Sequence, residues 1–111
     1  MNVTSEQSGD VVVVNAGPAR LMHPSLSEFS IFVTGELAKG SRKIVINLGG
    51  VEYVDSAAIG CLMDLYRQAT ALGATLKLAG IQRRVETMLT LTGVNQFIEM
   101  YPDAAAAVQS F

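Results

Sequence analysis

The chain has one cysteine, one histidine and no tryptophan among its 111 residues. With Cys61 alone it can form neither an internal disulfide nor a cysteine-rich zinc site, so we expect a reducing, cytoplasmic setting and a small packed thiol. His23 has no second histidine to help it bind a metal. Ser-His-Asp, Cys-His and paired-carboxylate patterns are also missing. We therefore expect no enzymatic activity, no cofactor and no metal.

Charge and long apolar runs are scarce too. Charged residues make up 16% of the chain, the net charge is −2 and the pI is about 5.2, which does not favour nucleic acid as a partner. The first ten residues are polar, and the longest strongly apolar run, Val11–Val14, is far below the roughly 20 residues that span a bilayer. We expect neither export nor direct membrane insertion.

What the chain does have is a regular alternation of strand-like and helix-like segments. Half of its residues are apolar, enough for one core, and its length fits a single domain, 1–111. The predicted strands are Val11–Val14, Lys43–Leu48, Thr75–Ala79 and Phe97–Tyr101, with 1–9 as an edge strand or a flexible N-terminus. The predicted helices are 24–40, 55–73, 83–92 and 103–111, with Val85, Met88 and Leu89 inward in the third and Val108 and Phe111 anchoring the fourth. This order predicts an α/β fold with a central mixed, mostly parallel β-sheet and about four α-helices packed on it.

The parallel arrangement brings distant residues to one edge of the sheet. The loops after Leu48 and Ala79 leave the carboxyl edge, where functional residues of open α/β sheets collect. We therefore expect Ser56 to share a rim with Arg83 and Arg84.

Each of these residues has a structural interpretation beside the functional one. Asp55 and Ser56 are good helix N-caps because their oxygens accept free backbone N–H groups. Arg83 and Arg84 stand at a predicted helix start, the unfavourable end for cations, which indicates either a partner or phosphate contact or two solvated side chains.

Residues 43–60, KIVINLGGVEYVDSAAIG, resemble the signature of STAS domains. That pattern is a hydrophobic strand ending D-L-S-G, an apolar triplet, and D-S-[ST]-G-[LI]-G. Residues 71–80 and 91–94 also resemble STAS sequences, as does the Tyr-Pro-Asp at 101–103 followed by alanines. The resemblance covers roughly residues 10–111 and implies a STAS-type single domain.

The resemblance also implies a function. STAS proteins of this type are anti-sigma factor antagonists that bind an anti-sigma factor, itself a serine kinase. The kinase phosphorylates the serine after the motif aspartate, the antagonist is released, and a PP2C-type phosphatase reverses the step. Transferred to this chain, the phosphorylated residue is Ser56 and the partner-binding residues are Glu52, Tyr53, Asp55, Ser56, Ala57, Ala58, Arg83 and Arg84, although Tyr53 could equally be a core residue.

The chain departs from the STAS pattern at three positions: Asn47 replaces an aspartate, Ala57 a hydroxyl residue and Ala58 a glycine. These changes leave open a second role, a STAS scaffold or accessory module that never cycles through phosphorylation, as in stressosomes or on membrane transporters. A receiver-like phosphoaspartate switch is a third possibility, but it would need an acidic residue where Asn47 stands.

Overall fold

The computed structural model describes residues 3–17, 20–22 and 24–111, so His23 lies outside the described residues. The strands are β1 (Thr4–Ser8), β2 (Val11–Asn15), β3 (Arg20–Leu21), β4 (Lys43–Asn47), β5 (Tyr53–Val54), β6 (Thr75–Ala79) and β7 (Met100–Tyr101). The α-helices are α1 (Ser25–Ala38), α2 (Ser56–Ala71), α3 (Arg83–Leu91) and α4 (Ala104–Gln109), and a 3₁₀ turn spans Val94–Gln96.

The main sheet has the order β1-β2-β4-β6-β7, and only the β1–β2 pair is antiparallel. β4 and β6 pair in parallel from Lys43–Thr75 to Asn47–Ala79, which confirms the predicted pairing. Of the two alternatives for residues 1–9, the structure has an edge strand, β1, and all five of its residues are exposed. β3 and β5 form a separate two-stranded parallel ribbon.

Successive residues of a strand point to opposite faces of the sheet, so the strands contribute side chains to two separate apolar layers. Most of the core lies on the face covered by α1, α2 and α3, where Phe29, Ile46, Leu65 and Leu89 are fully buried. The opposite face is smaller and lies under α4. Its buried members are Val11, Val13, Val45, Ala79 and Ala107.

Lys77 is buried on the α4 face, with 6% of its surface exposed. Its ammonium donates to Ser110 Oγ at 2.6 Å and lies 3.2 Å from Glu99 Oε1. It also lies 4.3 Å from the ring centroid of Phe111 and 5.3 Å from that of Tyr101. A buried charge needs such partners, and these contacts fasten the end of α4 to the sheet.

Two predictions about the third and fourth segments were wrong. Met88 is 37% exposed rather than inward, because Val85 and Leu89, four residues apart, already fill the buried stripe of α3. The segment 97–101 is not one strand: only Met100–Tyr101 pairs with β6. Phe97 follows the 3₁₀ turn and is 57% exposed, with its ring 6.1 Å from that of Tyr66.

Across residues 3–17, 20–22 and 24–111, none of the helices has the length and apolar character needed to cross a membrane.

Candidate functional site

The start of α2 is capped by Asp55. This residue is extended, with φ −103° and ψ −179°, and its Oδ1 accepts a hydrogen bond of 2.8 Å from the Ala58 N–H. The Asp55 carbonyl accepts from Ile59 N at 3.1 Å, the first regular bond of the helix. Either residue of the Asp-Ser pair is a suitable N-cap, and the structure shows that Asp55 is the residue that caps the helix.

Ser56 is the first residue of α2 and is exposed. Its hydroxyl makes no hydrogen bond to any residue that the structure describes, so it takes no part in the cap. It lies where free N–H groups and the helix dipole favour negative charge. The hydroxyl is thus accessible, without a structural partner, and in a location that suits an anion.

The two alanines after Ser56 differ in exposure. Ala57 is exposed, whereas Ala58 is 0% exposed and packs in the core. The predicted partner contact at Ala58 must be corrected, because a buried methyl group cannot reach another protein while the domain stays folded. What Ala58 contributes to the site is its backbone N–H, which bonds Asp55.

Asn47 joins the carboxyl ends of β2 and β4 and lies close to the end of β6. Its Nδ2 donates to Asn15 Oδ1 at 3.0 Å, and its Oδ1 accepts from Gly49 N at 3.0 Å. Gly80, after β6, has φ +67°, and a Cβ there would lie 2.6 Å from Asn47 Oδ1. An aspartate at 47 would lack the donor to Asn15, so asparagine suits this network.

The β3–β5 ribbon leads into α2 and carries Arg20 and Tyr53, which are paired in register. The Arg20 guanidinium carbon lies 5.0 Å from the centre of the Tyr53 ring, a cation–π contact. Tyr53 is half-buried and Glu52 is exposed. Tyr53 is not among the half-buried side chains that pack against the main core, so its contact with Arg20 is the one that places it.

Arg83 and Arg84 are exposed in the first turn of α3. The residue before them, Gln82, donates from Nε2 to Gly49 O at 2.8 Å and so joins the start of α3 to the loop that leaves β4. The Arg83 carbonyl accepts a hydrogen bond of 3.0 Å from Thr87 Oγ1. Neither guanidinium group makes an ion pair or a hydrogen bond with another described residue. The loops after β4 and β6 share the carboxyl edge, as the parallel pairing predicted.

Two residues of this edge were missed by the sequence analysis. Arg20 reaches the edge only through a two-residue strand, which has too little pattern to be recognised. No sequence motif around Gln82 indicates that its side chain contacts Gly49. Nowhere in the described ranges do three or more histidine, cysteine, aspartate or glutamate side chains gather to hold a metal ion.

A comparison with known protein families agrees with the fold described above. The family model described as the STAS domain matches residues 2–107. The chain belongs to the STAS domain family.

Individual relatives agree with this assignment. A Thermotoga neapolitana protein provisionally named an anti-sigma factor antagonist homologue is 27% identical over 73 residues, which are 66% of this chain and 65% of that protein. The crystal structure of a Thermotoga maritima protein, provisionally given the same role, superimposes with a TM-score of 0.87 at 24% identity, covering 97% of this chain and 92% of that one. The Bacillus cell fate determinant SpoIIAA in its phosphorylated form gives a TM-score of 0.75 at 15% identity, covering 97% of both chains. At these identities the two structures show a shared fold.

Proposed function

We propose that this STAS domain is an anti-sigma factor antagonist that binds an anti-sigma factor with serine-kinase activity and is released when Ser56 is phosphorylated. The observation that carries the proposal is the state of Ser56: an exposed hydroxyl without a hydrogen bond, at the start of a helix that Asp55 already caps. The provisional names of the Thermotoga relatives and the phosphorylated form of SpoIIAA support it.

Phosphorylation at this position would leave the fold intact and change the surface. A phosphate adds roughly 1.5–2 negative charges and three acceptor oxygens at neutral pH. The helix start tolerates this charge because its N–H groups and dipole favour anions. A partner that covers the rim would instead meet a new, strongly hydrated dianion and lose affinity.

The charges already at the rim make it sensitive to this change. Arg20, Arg83 and Arg84 contribute three positive charges to this region and Asp55, Glu52 and Glu86 three negative ones, without ion pairs between them among the described residues. Because these formal charges balance, a phosphate on Ser56 would turn a neutral rim into a negative one. In this scheme Asp55, Ser56, Ala57, Glu52, Tyr53 and the two arginines of α3 form the partner surface.

The remaining parts of the proposal follow from a switch of this kind. A PP2C-type phosphatase would restore the unmodified serine, and the cycle would run in the cytoplasm. The domain itself would bind and release without catalysing a reaction, with 1–111 acting as one domain.

A pull-down with mass spectrometry tests the proposal, comparing wild type with Ser56→Ala and Ser56→Asp. The charge control is Ala104→Asp, which places the same charge at the first residue of α4, again directly after a capping aspartate. Because Ala104 is half-buried and packs against the apolar layer under α4, the thermal melt of this variant is recorded beside its pull-down. We expect wild type, Ser56→Ala and Ala104→Asp to retain the anti-sigma factor and Ser56→Asp to lose most of it. Since Asp supplies one charge and no tetrahedral oxygens, its effect should be smaller than that of phosphate.

The alternative is a STAS scaffold or accessory module that never cycles. If Ser56→Asp binds its partner as tightly as wild type, and no kinase labels Ser56, this alternative replaces the switch.

A further inference from the structure

The cations of the chain are unevenly paired. Of the eight lysines and arginines, four make ion pairs: Lys39 with Glu36, Lys43 with Asp10, Arg67 with Asp64, and Lys77 with Glu99. Arg42 donates to the carbonyls of Leu37 and Ser41. The other three, Arg20, Arg83 and Arg84, are exposed and have no carboxylate partner among the described residues. We call these three the rim arginines.

The rim arginines belong to two elements that contact β5, the short strand that leads to Ser56. Arg20 lies over the ring of Tyr53, three residues before Ser56. The helix that carries Arg83 and Arg84, α3, packs against β5, and the Gln82–Gly49 hydrogen bond joins its start to the loop that leaves β4. Two independent elements thus bring positive charge to the same edge.

Arg83 and Arg84 also occupy an electrostatically unfavourable position. The first turn of a helix presents the positive end of its dipole, so two adjacent cations there repel it and each other. A planar guanidinium matches the oxygens of a phosphate in two-point hydrogen bonds, and three guanidinium groups without an ion pair among the described residues are available for such bonds.

We propose that the rim arginines bind the phosphate carried by Ser56. The inference rests on the proposed phosphorylation and deepens it, since it assigns residues that receive the phosphate. Modification would then act twice on a bound partner: it adds negative charge and it withdraws three guanidinium groups from the contact surface.

Phosphorus NMR of the chain with phosphoserine installed at position 56 by genetic encoding tests this directly. The probe is the second pKa of the phosphate, ordinarily about 6. Opposite charges within about 4–6 Å favour the dianion, so we expect a lowered pKa that rises by about one unit when Arg20→Gln, Arg83→Gln and Arg84→Gln are combined. The single variants should each give part of this rise. Glu52, Asp55 and Glu86 are present in every variant, so their effects cancel in the comparison.

Arg42→Gln is the matched control, because Arg42 is exposed but precedes β4 at the opposite, amino edge of the sheet. It should leave the phosphate pKa unchanged, and replacing the rim arginines with lysine should preserve part of the lowering. A triple glutamine variant whose phosphate titrates like that of wild type would overturn the proposal.

This test is separate from that of the proposed function, because the phosphate is installed rather than added by a kinase. If the phosphate pKa depends on the rim arginines but the phosphorylated chain still holds its partner, the switch fails and the phosphate site stands. If the partner is released while the pKa ignores the arginines, the phosphate site alone is wrong.

Discussion

The starts of α2 and α4 offer an internal comparison. Each follows an aspartate, Asp55 or Asp103, whose Oδ1 accepts a 2.8 Å hydrogen bond from the N–H three residues later. The first helical residue is Ser56 in α2 and Ala104 in α4. Because α4 forms the same cap with alanine in that position, the hydroxyl of Ser56 is not needed to start a helix and is free for another use.

The two helices differ in what holds them to the rest of the domain. α2 has 16 residues and buries Ala58, Leu62, Leu65 and Ala69. α4 has six residues, buries only Ala107, and depends on the contacts of Lys77 at its far end. The same cap should therefore matter more to the stability of the domain in α2 than in α4.

The largest expected effect comes from removing an anchor of α2. Leu65 is fully buried, so Leu65→Ala should lower the free energy of unfolding by about 2–5 kcal/mol. Val108 of α4 is half-buried, and Val108→Ala should cost less than about 1 kcal/mol. Urea unfolding of both variants measures the difference, and equal losses would show that α4 is as well anchored as α2.

The second-largest expected loss of stability comes from removing the N-cap of either helix. Asp55→Ala should cost about 1 kcal/mol, as the loss of a real N-cap does, and lower the melting temperature by about 4 °C. Asp103→Ala should cost less than half as much, because the start of α4 can fray without opening the main core. Thermal melts followed by circular dichroism compare the two, and a larger loss for Asp103→Ala would contradict the comparison.

Ser56→Ala should have almost no effect on stability. It gives α2 the Asp-Ala-Ala-Ala start that α4 already has, so the change should stay within about 0.5 kcal/mol. Ala104→Ser, the reverse exchange in α4, is the matched control and should be equally neutral. A loss near 1 kcal/mol for Ser56→Ala would mean that its hydroxyl does share in the cap.

The smallest expected effect is a pH dependence at the far end of α4. The hydrogen bond from Tyr101, together with the bond and charge of Lys77, lowers the pKa of Glu99 below its ordinary 4.5. A lowered pKa in the folded state means that this contribution is complete above the ordinary value and is lost as the pH falls through the folded value. The melting temperature of Glu99→Gln should therefore fall slightly less between pH 6 and pH 3 than that of wild type. If both proteins show the same fall, Glu99 does not contribute to the pH dependence of stability.

Local patterns made much of this architecture predictable. The β-branched run of β2 and the good N-cap at Asp55 are signals carried by neighbouring residues. The order of elements then implied the parallel pairing of β4 with β6, and with it the common edge of Ser56 and Arg83.

What could not be predicted depends on contacts between distant segments. Lys77 is buried only because α4 returns over the sheet and brings Ser110 and Phe111 to its ammonium. Arg20 joins the rim through a two-residue strand. Ala58 was assigned to the partner surface by resemblance and is buried, because alanine suits core and surface alike. Met88, at the edge of the buried stripe of α3, shows the same ambiguity for a larger side chain.

The affinity of the chain for its anti-sigma partner, with and without phosphate on Ser56, tests the central claim most directly. Isothermal titration calorimetry would use the partner retained by wild type, with Ala104→Asp as the charge control. We predict that phosphoserine at 56 weakens binding at least ~10-fold, a loss of about 1.4 kcal/mol, while the melting temperature of the free domain stays unchanged. Equal affinity for the two forms would contradict the account and leave a STAS domain that binds without a switch.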